Sequence, residues 1–180
     1  MPYYTKAGDQ GKTCVIGAGR VCKGSRAVEA LGDFDELSSA LGVAAAFSKD
    51  KATEQTIRNI QNDLHTVCAE ISGTDSEDYP RIRNEHVTEL EEAIRKIETA
   101  LGEQKTFLLP GGAKEAALIH LARAIARRAE RSLIRLSKKA AVRRELLIYA
   151  NRLSTLLYVL ARLQNKMFKA EEKRPVYRHN

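Results

Sequence analysis

Arg123, Arg127, Arg131 and Arg135 recur at every fourth position of this chain. In a helix such a series drifts only ~40° per step, so the four guanidinium groups line one side. Arg128 adds a fifth, and Glu130 falls back beside Arg123 and Arg127, where it can hold a guanidinium in place. Arginine rather than lysine at these positions favours planar, bidentate recognition of carboxylate or phosphate. Two readings of the stripe are open. The arginines can pair with acidic residues of a neighbouring helix, among them Asp35 and Glu36, or they can lie against an anionic ligand. Both can hold along one helix.

A second group of residues suited to anions lies near the N-terminus, where Thr5, Lys6, Gly8, Gly11, Thr13 and Lys23 bring hydroxyls, ammonium groups and permissive backbone into one short segment. Such a segment can form a nest of N–H donors around phosphates, or serve only as a turn-rich connector. Gly11-Lys12-Thr13 resembles the end of a P-loop. The first glycine of that motif would fall at Lys6, and no apolar strand precedes it, so a Walker A loop is excluded.

Acid–base and covalent machinery are not evident. His65, His86, His120 and His179 are dispersed and show no metal spacing, so no metal ligands are assigned. Cys14, Cys22 and Cys68 form no C-x-x-C pair and read as reduced thiols. Cys14 in the glycine segment reads as an incidental thiol rather than a nucleophile.

The elements that must position these residues follow from periodicity. Residues 1–32 are glycine-rich without a sustained period and read as an ordered loop with short extended pieces. Helical spacing begins after Gly32, with Phe34, Leu37, Leu41, Ala44 and Ala45, and runs to about Ser48. Ile57, Ile60, Leu64, Val67 and Ile71 stripe a second helix that stops at the stretch 73–80. Asn84 is expected to cap a third, through Val87, Leu90, Ile94, Ile97 and Leu101 to Gly102. Pro110-Gly111-Gly112 breaks the chain. A fourth helix is expected from about Ala113 to Ser137, with Leu118, Ala122, Ile125, Ala129, Leu133 and Leu136 as its core face, and a fifth from about Val142 to Lys169. The expected fold is all-α: a five-helix up-down bundle over 33–170, preceded by the ordered glycine-rich loop and followed by a polar tail at 171–180.

The bulk numbers fit this layout. A chain of 180 residues with 43% hydrophobic content suits one domain with one core. No signal peptide is legible and no apolar run approaches the ~18 residues of a membrane span, which predicts a soluble, cytoplasmic protein without membrane partners. The net charge of +7 is unevenly divided, since residues 112–180 carry 17 Lys+Arg against 5 Asp+Glu while residues 1–111 carry 13 against 18. The basic half admits nucleic acid, a phosphorylated small molecule or the chain's own acidic half as its partner.

Three segments, taken together, are similar to the PduO-type cobalamin adenosyltransferases. They are Thr5-Lys-Ala-Gly-Asp-Gln-Gly-Lys-Thr13 with Lys23; Glu29-Ala-Leu-Gly-Asp-Phe-Asp-Glu-Leu37; and a C-terminal set of Phe107-Leu-Leu-Pro-Gly-Gly112, Arg123-Ala-Ile-Ala-Arg-Arg-Ala-Glu-Arg131, Asn151-Arg-Leu-Ser154 and Leu160-Ala-Arg162. The likeness runs from about residue 3 to 165. It implies a homotrimer of five-helix bundles that binds ATP between neighbouring subunits and a corrinoid in an adjacent apolar pocket.

Carried over by position, the resemblance implies that Thr5, Lys6, Ala7, Gly8, Thr13, Cys14 and Lys23 surround ATP together with Arg127, Arg128, Glu130, Arg131 and Asn151. Ala7 and Cys14 depart from the family's usual residues and would contribute through backbone groups. Asp35 would pair with Arg123 across a subunit interface, and Phe107 would shield the lower face of the cobalt. Thr155 replaces the aspartate that usually follows Asn-Arg-Leu-Ser. The implied reaction transfers the 5′-deoxyadenosyl group of ATP to cob(I)alamin, with Arg127 and Phe107 as its catalytic residues. Magnesium would accompany the triphosphate, an external flavoprotein reductase would supply the electron, and an adenosylcobalamin-dependent enzyme could take the product. Because the reduced cobalt is itself the nucleophile, absence of a protein base is consistent with this chemistry. The rival reading, a basic helical nucleic-acid-binding module, accounts for the charged half but not for the glycine segment.

Overall fold

A computed structural model describes residues 4–73 and 79–177; His179 and part of the acidic turn at 73–80 lie outside them. Five helices follow a short hairpin: β1 (Lys12–Val15), β2 (Gly19–Cys22), α1 (Arg26–Phe47), α2 (Lys51–Ile71), α3 (Asn84–Leu101), α4 (Lys114–Ser137) and α5 (Arg144–Met167). Cross-connections give the directions. Glu29 meets Arg135 and Glu36 meets Arg128, so α1 and α4 are antiparallel. Asn151 meets Glu130, and Asn165 meets the start of α4, so α4 and α5 are antiparallel as well. Arg152 reaches Glu91 and Lys166 reaches the Ala100 carbonyl, so α3 runs parallel to α5. The result is the expected up-down-up-down-up bundle.

The core is one cluster in which Phe34, Leu37, Leu41, Ile57, Leu64, Ile119, Leu133, Leu153 and Leu157 are almost wholly buried. Half of α5 is buried, because helices pack against it on several sides, and its composition is correspondingly apolar nearly all round. By length and composition α5 could cross a membrane, contrary to the expectation that no such run exists; the apolar residues face the other helices. Two buried polar links join α5 to α2: Tyr149 donates to Asp63 at 2.9 Å, and Gln164 donates to Thr53 at 2.8 Å. Burial raises the Tyr149 hydroxyl well above its ordinary range, with the nearby Asp63 carboxylate adding to the effect.

The structure departs from the sequence reading in several places. Residues 12–22 form an antiparallel hairpin, with Lys12 opposite Cys22 and Val15 opposite Gly19, which gives bounds and pairing to the short extended pieces expected within the ordered loop. At four residues per strand, the alternation is too short to be read. Helix α1 begins at Arg26, because Ser25 caps it by accepting from the Val28 N–H, and it continues through Gly32, which periodicity treats as a break. Arg83 rather than Asn84 is the N-cap residue of α3, and its N–H donates to His86 Nδ1 at 3.2 Å. The supposed polar tail folds back as far as it is described: the Leu109 N–H donates to the Lys173 carbonyl at 2.8 Å.

Candidate active site

The N-terminal segment is held by its own backbone. Asp9 N–H donates to the Lys6 carbonyl, Gly11 N–H to the Gly8 carbonyl, and Lys23 N–H to the Gly11 carbonyl at 2.8 Å. Thr5 Oγ1 accepts from the Ala7 N–H, and Arg20, which sequence reasoning missed, donates to the Ala7 carbonyl at 2.7 Å. Lys6 takes the left-handed conformation at φ 59°. A β-carbon added at Gly8 would sit 3.0 Å from Lys23 Nζ, so the absence of a side chain there lets the ammonium lie over the backbone. Thr13 is half-buried, while Thr5, Lys6, Ala7, Cys14 and Lys23 are exposed. The hairpin tip rests on the end of α2, where a side chain at Gly17 would meet the Gly73 carbonyl at 2.7 Å.

The arginine stripe divides between structure and solvent. Arg128 ion-pairs with Asp33 at 3.2 Å and with Glu36, and Arg135 pairs with Glu29 at 2.8 Å; all three carboxylates belong to α1. Arg128 was expected at the nucleotide. In the structure its guanidinium is engaged by two carboxylates of its own chain. Arg127 and Arg131 are exposed, and no ion pair or hydrogen bond engages them among the described residues. With Glu130, Ile134, Arg135 and Asn151 they line an open recess of about 410 Å³ between α4 and α5.

Glu130 does not hold a guanidinium, as spacing suggested; it accepts from Asn151 Nδ2 at 2.7 Å. The Asn151 oxygen accepts from Arg152 at 2.8 Å, and Arg152 donates to Glu91 at 2.8 Å. This chain of contacts fixes which way the Asn151 amide faces. No sequence pattern marked Glu91, and Arg152 stood within the Asn151-Arg-Leu-Ser154 block without a role of its own, because the link spans α3, α4 and α5.

Asn151, Thr155, Tyr158 and Arg162 stand one above another on α5, over about 16 Å at the helical rise per residue. Thr155, Tyr158 and Arg162 line a second recess, of about 400 Å³, with Gln104. Gln104 opens the loop between α3 and α4 that carries Phe107, whose side chain is 82% exposed. Beyond it, Asn165 accepts from the Ala113 N–H and donates to the Gly111 carbonyl, both at 2.9 Å. Arg123 lies 5.9 Å from the centre of the Tyr158 ring, and no contact joins it to Asp35 within the chain. Its Nε is buried without a hydrogen-bond partner. Among the described residues no three His, Cys, Asp or Glu side chains gather as a metal site requires.

The site thus combines a glycine-rich N-terminal segment, two uncommitted arginines beside a fixed asparagine, and an exposed aromatic loop. The profile of the cobalamin adenosyltransferase family matches residues 3–164. The chain belongs to the cobalamin adenosyltransferase family. It is 39% identical over 171 residues to the corrinoid adenosyltransferase PduO of Citrobacter freundii, a match covering 92% of this chain and 50% of that protein. It is also 39% identical to the corrinoid adenosyltransferase of Bacillus subtilis, covering 92% of this chain and 87% of the relative. The chain thus spans about half the length of the PduO relative and most of the Bacillus one. A variant PduO-type ATP:corrinoid adenosyltransferase from Lactobacillus reuteri, complexed with cobalamin and ATP, matches with TM-score 0.90 and 29% identity over 99% of this chain and 97% of that one. The geometry of this family member is therefore open to a residue-level functional reading.

Proposed function

We propose that the whole chain acts as a single adenosyltransferase domain that transfers the 5′-deoxyadenosyl group of ATP to the cobalt of cob(I)alamin or a related corrinoid, releasing triphosphate. The observation that carries this reading is the division of the arginines. Arg128 and Arg135 are neutralised by α1, whereas Arg127 and Arg131 face an open recess with no acidic partner among the described residues, beside an asparagine held in one orientation.

In the transfer, the reduced cobalt supplies the electron pair that forms the Co–C bond, and the bond from C5′ to the triphosphate oxygen breaks. Arg127 and Arg131 stabilise charge developing on the leaving triphosphate, and the N-terminal nest of Thr5, Lys6, Gly8, Thr13 and Lys23 holds the remaining phosphate oxygens. Asn151, held by Glu130 and Arg152, orients the nucleoside portion. Phe107 closes the lower face of the corrinoid, favouring a cobalt without an axial base that accepts an electron more readily from an external reductase. The described residues offer no carboxylate cluster for a resident metal, so magnesium arrives on the triphosphate oxygens.

Two observations support a site shared between copies in a homotrimer. Among the described residues, no hydrogen bond or ion pair joins the N-terminal segment to the Arg127 recess within one chain. Arg123 likewise has no ion-pair or hydrogen-bond partner among the described residues, consistent with Asp35 of a neighbour completing it. The proposed setting is cytoplasmic, with a flavoprotein reductase upstream and an adenosylcobalamin-dependent enzyme downstream. The decisive experiment is anaerobic mixing of the protein with ATP, magnesium and chemically reduced cobalamin. Protein- and ATP-dependent formation of a light-sensitive adenosylated product is expected; its absence from folded protein would refute the transfer.

A further inference from the structure

We propose that Arg162 is a positioning residue that sets the placement of Phe107 by tying α5 to both flanks of the Phe107 loop. This rests on the transfer reading above, but its geometry is independent of it. Arg162 is unusually enclosed for a cation, with its side chain 13% exposed. Its Nε and NH2 donate to the Glu172 carboxylate at 3.2 Å, and NH1 donates to Gln104 Oε1 at 3.1 Å. The same Gln104 oxygen accepts from the Tyr158 hydroxyl at 2.8 Å. One residue past Glu172, the Lys173 carbonyl accepts from the Leu109 N–H at 2.8 Å. Phe107 therefore sits between two anchor points, Gln104 and Leu109, and both trace back to one guanidinium.

Phe107 itself is 82% exposed and packs too little to fix its own position. What holds its backbone in place must come from the loop's neighbours. Arginine suits this task because its planar fork serves two partners at once in fixed geometry, which a lysine ammonium on a flexible stem does not. Arg162 also lies outside the buried core cluster, so loosening it releases the loop while leaving the packing of α5 largely intact. This gives a role to the Leu160-Ala-Arg162 segment, which the nucleotide contacts do not use.

The chain has no tryptophan, so Phe107→Trp installs a single tryptophan at the loop tip, which can be excited apart from the six tyrosines at the red edge of the absorption band. In that background, Arg162→Met is expected to increase the fast component of the tryptophan anisotropy decay, with Glu172→Gln giving a smaller change in the same direction. An unchanged decay would overturn the proposal. In the enzyme with Phe107 in place, Arg162→Met is expected to lower kcat by about tenfold with the KM for ATP within about twofold, and to weaken the four-coordinate cob(II)alamin signal in electron paramagnetic resonance. Combined with Phe107→Ala it should add little further loss. Fully multiplicative losses, or a rise in KM for ATP that matches the fall in kcat, would show a merely structural role and sink the idea. If Arg162→Met does not fold, Gln104→Ala and Glu172→Gln carry the same tests. A wild-type protein that forms no adenosylated product would instead refute the transfer reading, and the fluorescence result would still decide whether Arg162 holds the loop.

Discussion

Adjacent arginines on α4 carry opposite expectations. Arg127 faces the recess, and a charge-assisted contact of about 1.5–3 kcal/mol to triphosphate corresponds to roughly 10- to 100-fold in rate. Arg127→Ala should therefore lower kcat/KM by that factor with the melting temperature nearly unchanged. Arg128 is partly exposed and pairs with Asp33 and Glu36, a contact worth about 0.5–1 kcal/mol after solvent screening. Arg128→Ala should lower the melting temperature by about 1–4 °C and leave the KM for ATP within about twofold. Thermal melts beside steady-state kinetics check both, and interchange of the two phenotypes would refute the assignment. A second residue-scale expectation concerns His120. Burial first, and then the neighbouring Arg123 and Arg162 cations, push its imidazole below its ordinary range, while Glu172 opposes them. Below about pH 6.5 the unfolded chain takes up a proton that the folded one refuses, so stability should fall as pH drops through that window towards the lowered folded value. Melting temperatures between pH 8 and 5.5 should show this decline, and His120→Gln should flatten it; an equally steep decline in the variant would exclude His120 as the cause.

Among the elements, the turn that starts α4 depends on a close approach. Gly112 has φ 101°, and a β-carbon there would fall 2.1 Å from Asn165 Oδ1. Asn165 in turn holds the Ala113 N–H, one of the helix-terminal donors that the Ala113 cap cannot satisfy with a side chain. Gly112→Ala should cost about 1–3 kcal/mol from backbone strain, before any displacement of Asn165, and lower the melting temperature by several degrees. Adding Asn165→Ala removes the clash but leaves the strained φ and takes away the partner of the Ala113 N–H and the Gly111 carbonyl, so it should not restore the wild-type melting temperature. A Gly112→Ala protein that melts with the wild type would show that the turn relaxes freely. Periodicity located this break through Pro110-Gly111-Gly112 but did not find its partner, because Asn165 lies on α5, 52 residues past Ala113 in sequence. Helix α1 shows the opposite limitation: a glycine in its first half hid a start that Ser25 sets by capping.

At the scale of the whole molecule, Arg123 has no ion-pair partner among the described residues of its own chain, which is why a second copy is proposed to supply one. Arg123→Ala is expected to weaken the proposed trimer as well as turnover, and sizing chromatography with light scattering would test it; an intact trimer with wild-type stability would contradict the interface role. The five-helix order, most of the core faces and the basic character of α4 were legible because each depends on residues three or four apart, whose spacing is printed in the chain itself; on α4 the buried face is turned slightly, with Ile119 and Ala126 buried and Leu118 and Ile125 only partly so. Family membership was legible for a related reason, since its motifs are short blocks of contiguous residues. Which arginine serves structure and which faces solvent was not legible. Arg127 and Arg128 are neighbours of the same type, and only the antiparallel packing of α1 on α4 brings Asp33 and Glu36 to one of them. The same holds for Asn151 turned by Glu130, for Arg162 gripping Gln104 and Glu172, and for the tail that folds back to Leu109. Sequence spacing fixes what lies on one helix face, whereas contacts between helices depend on their relative rotation and height, which the packing of the whole core decides.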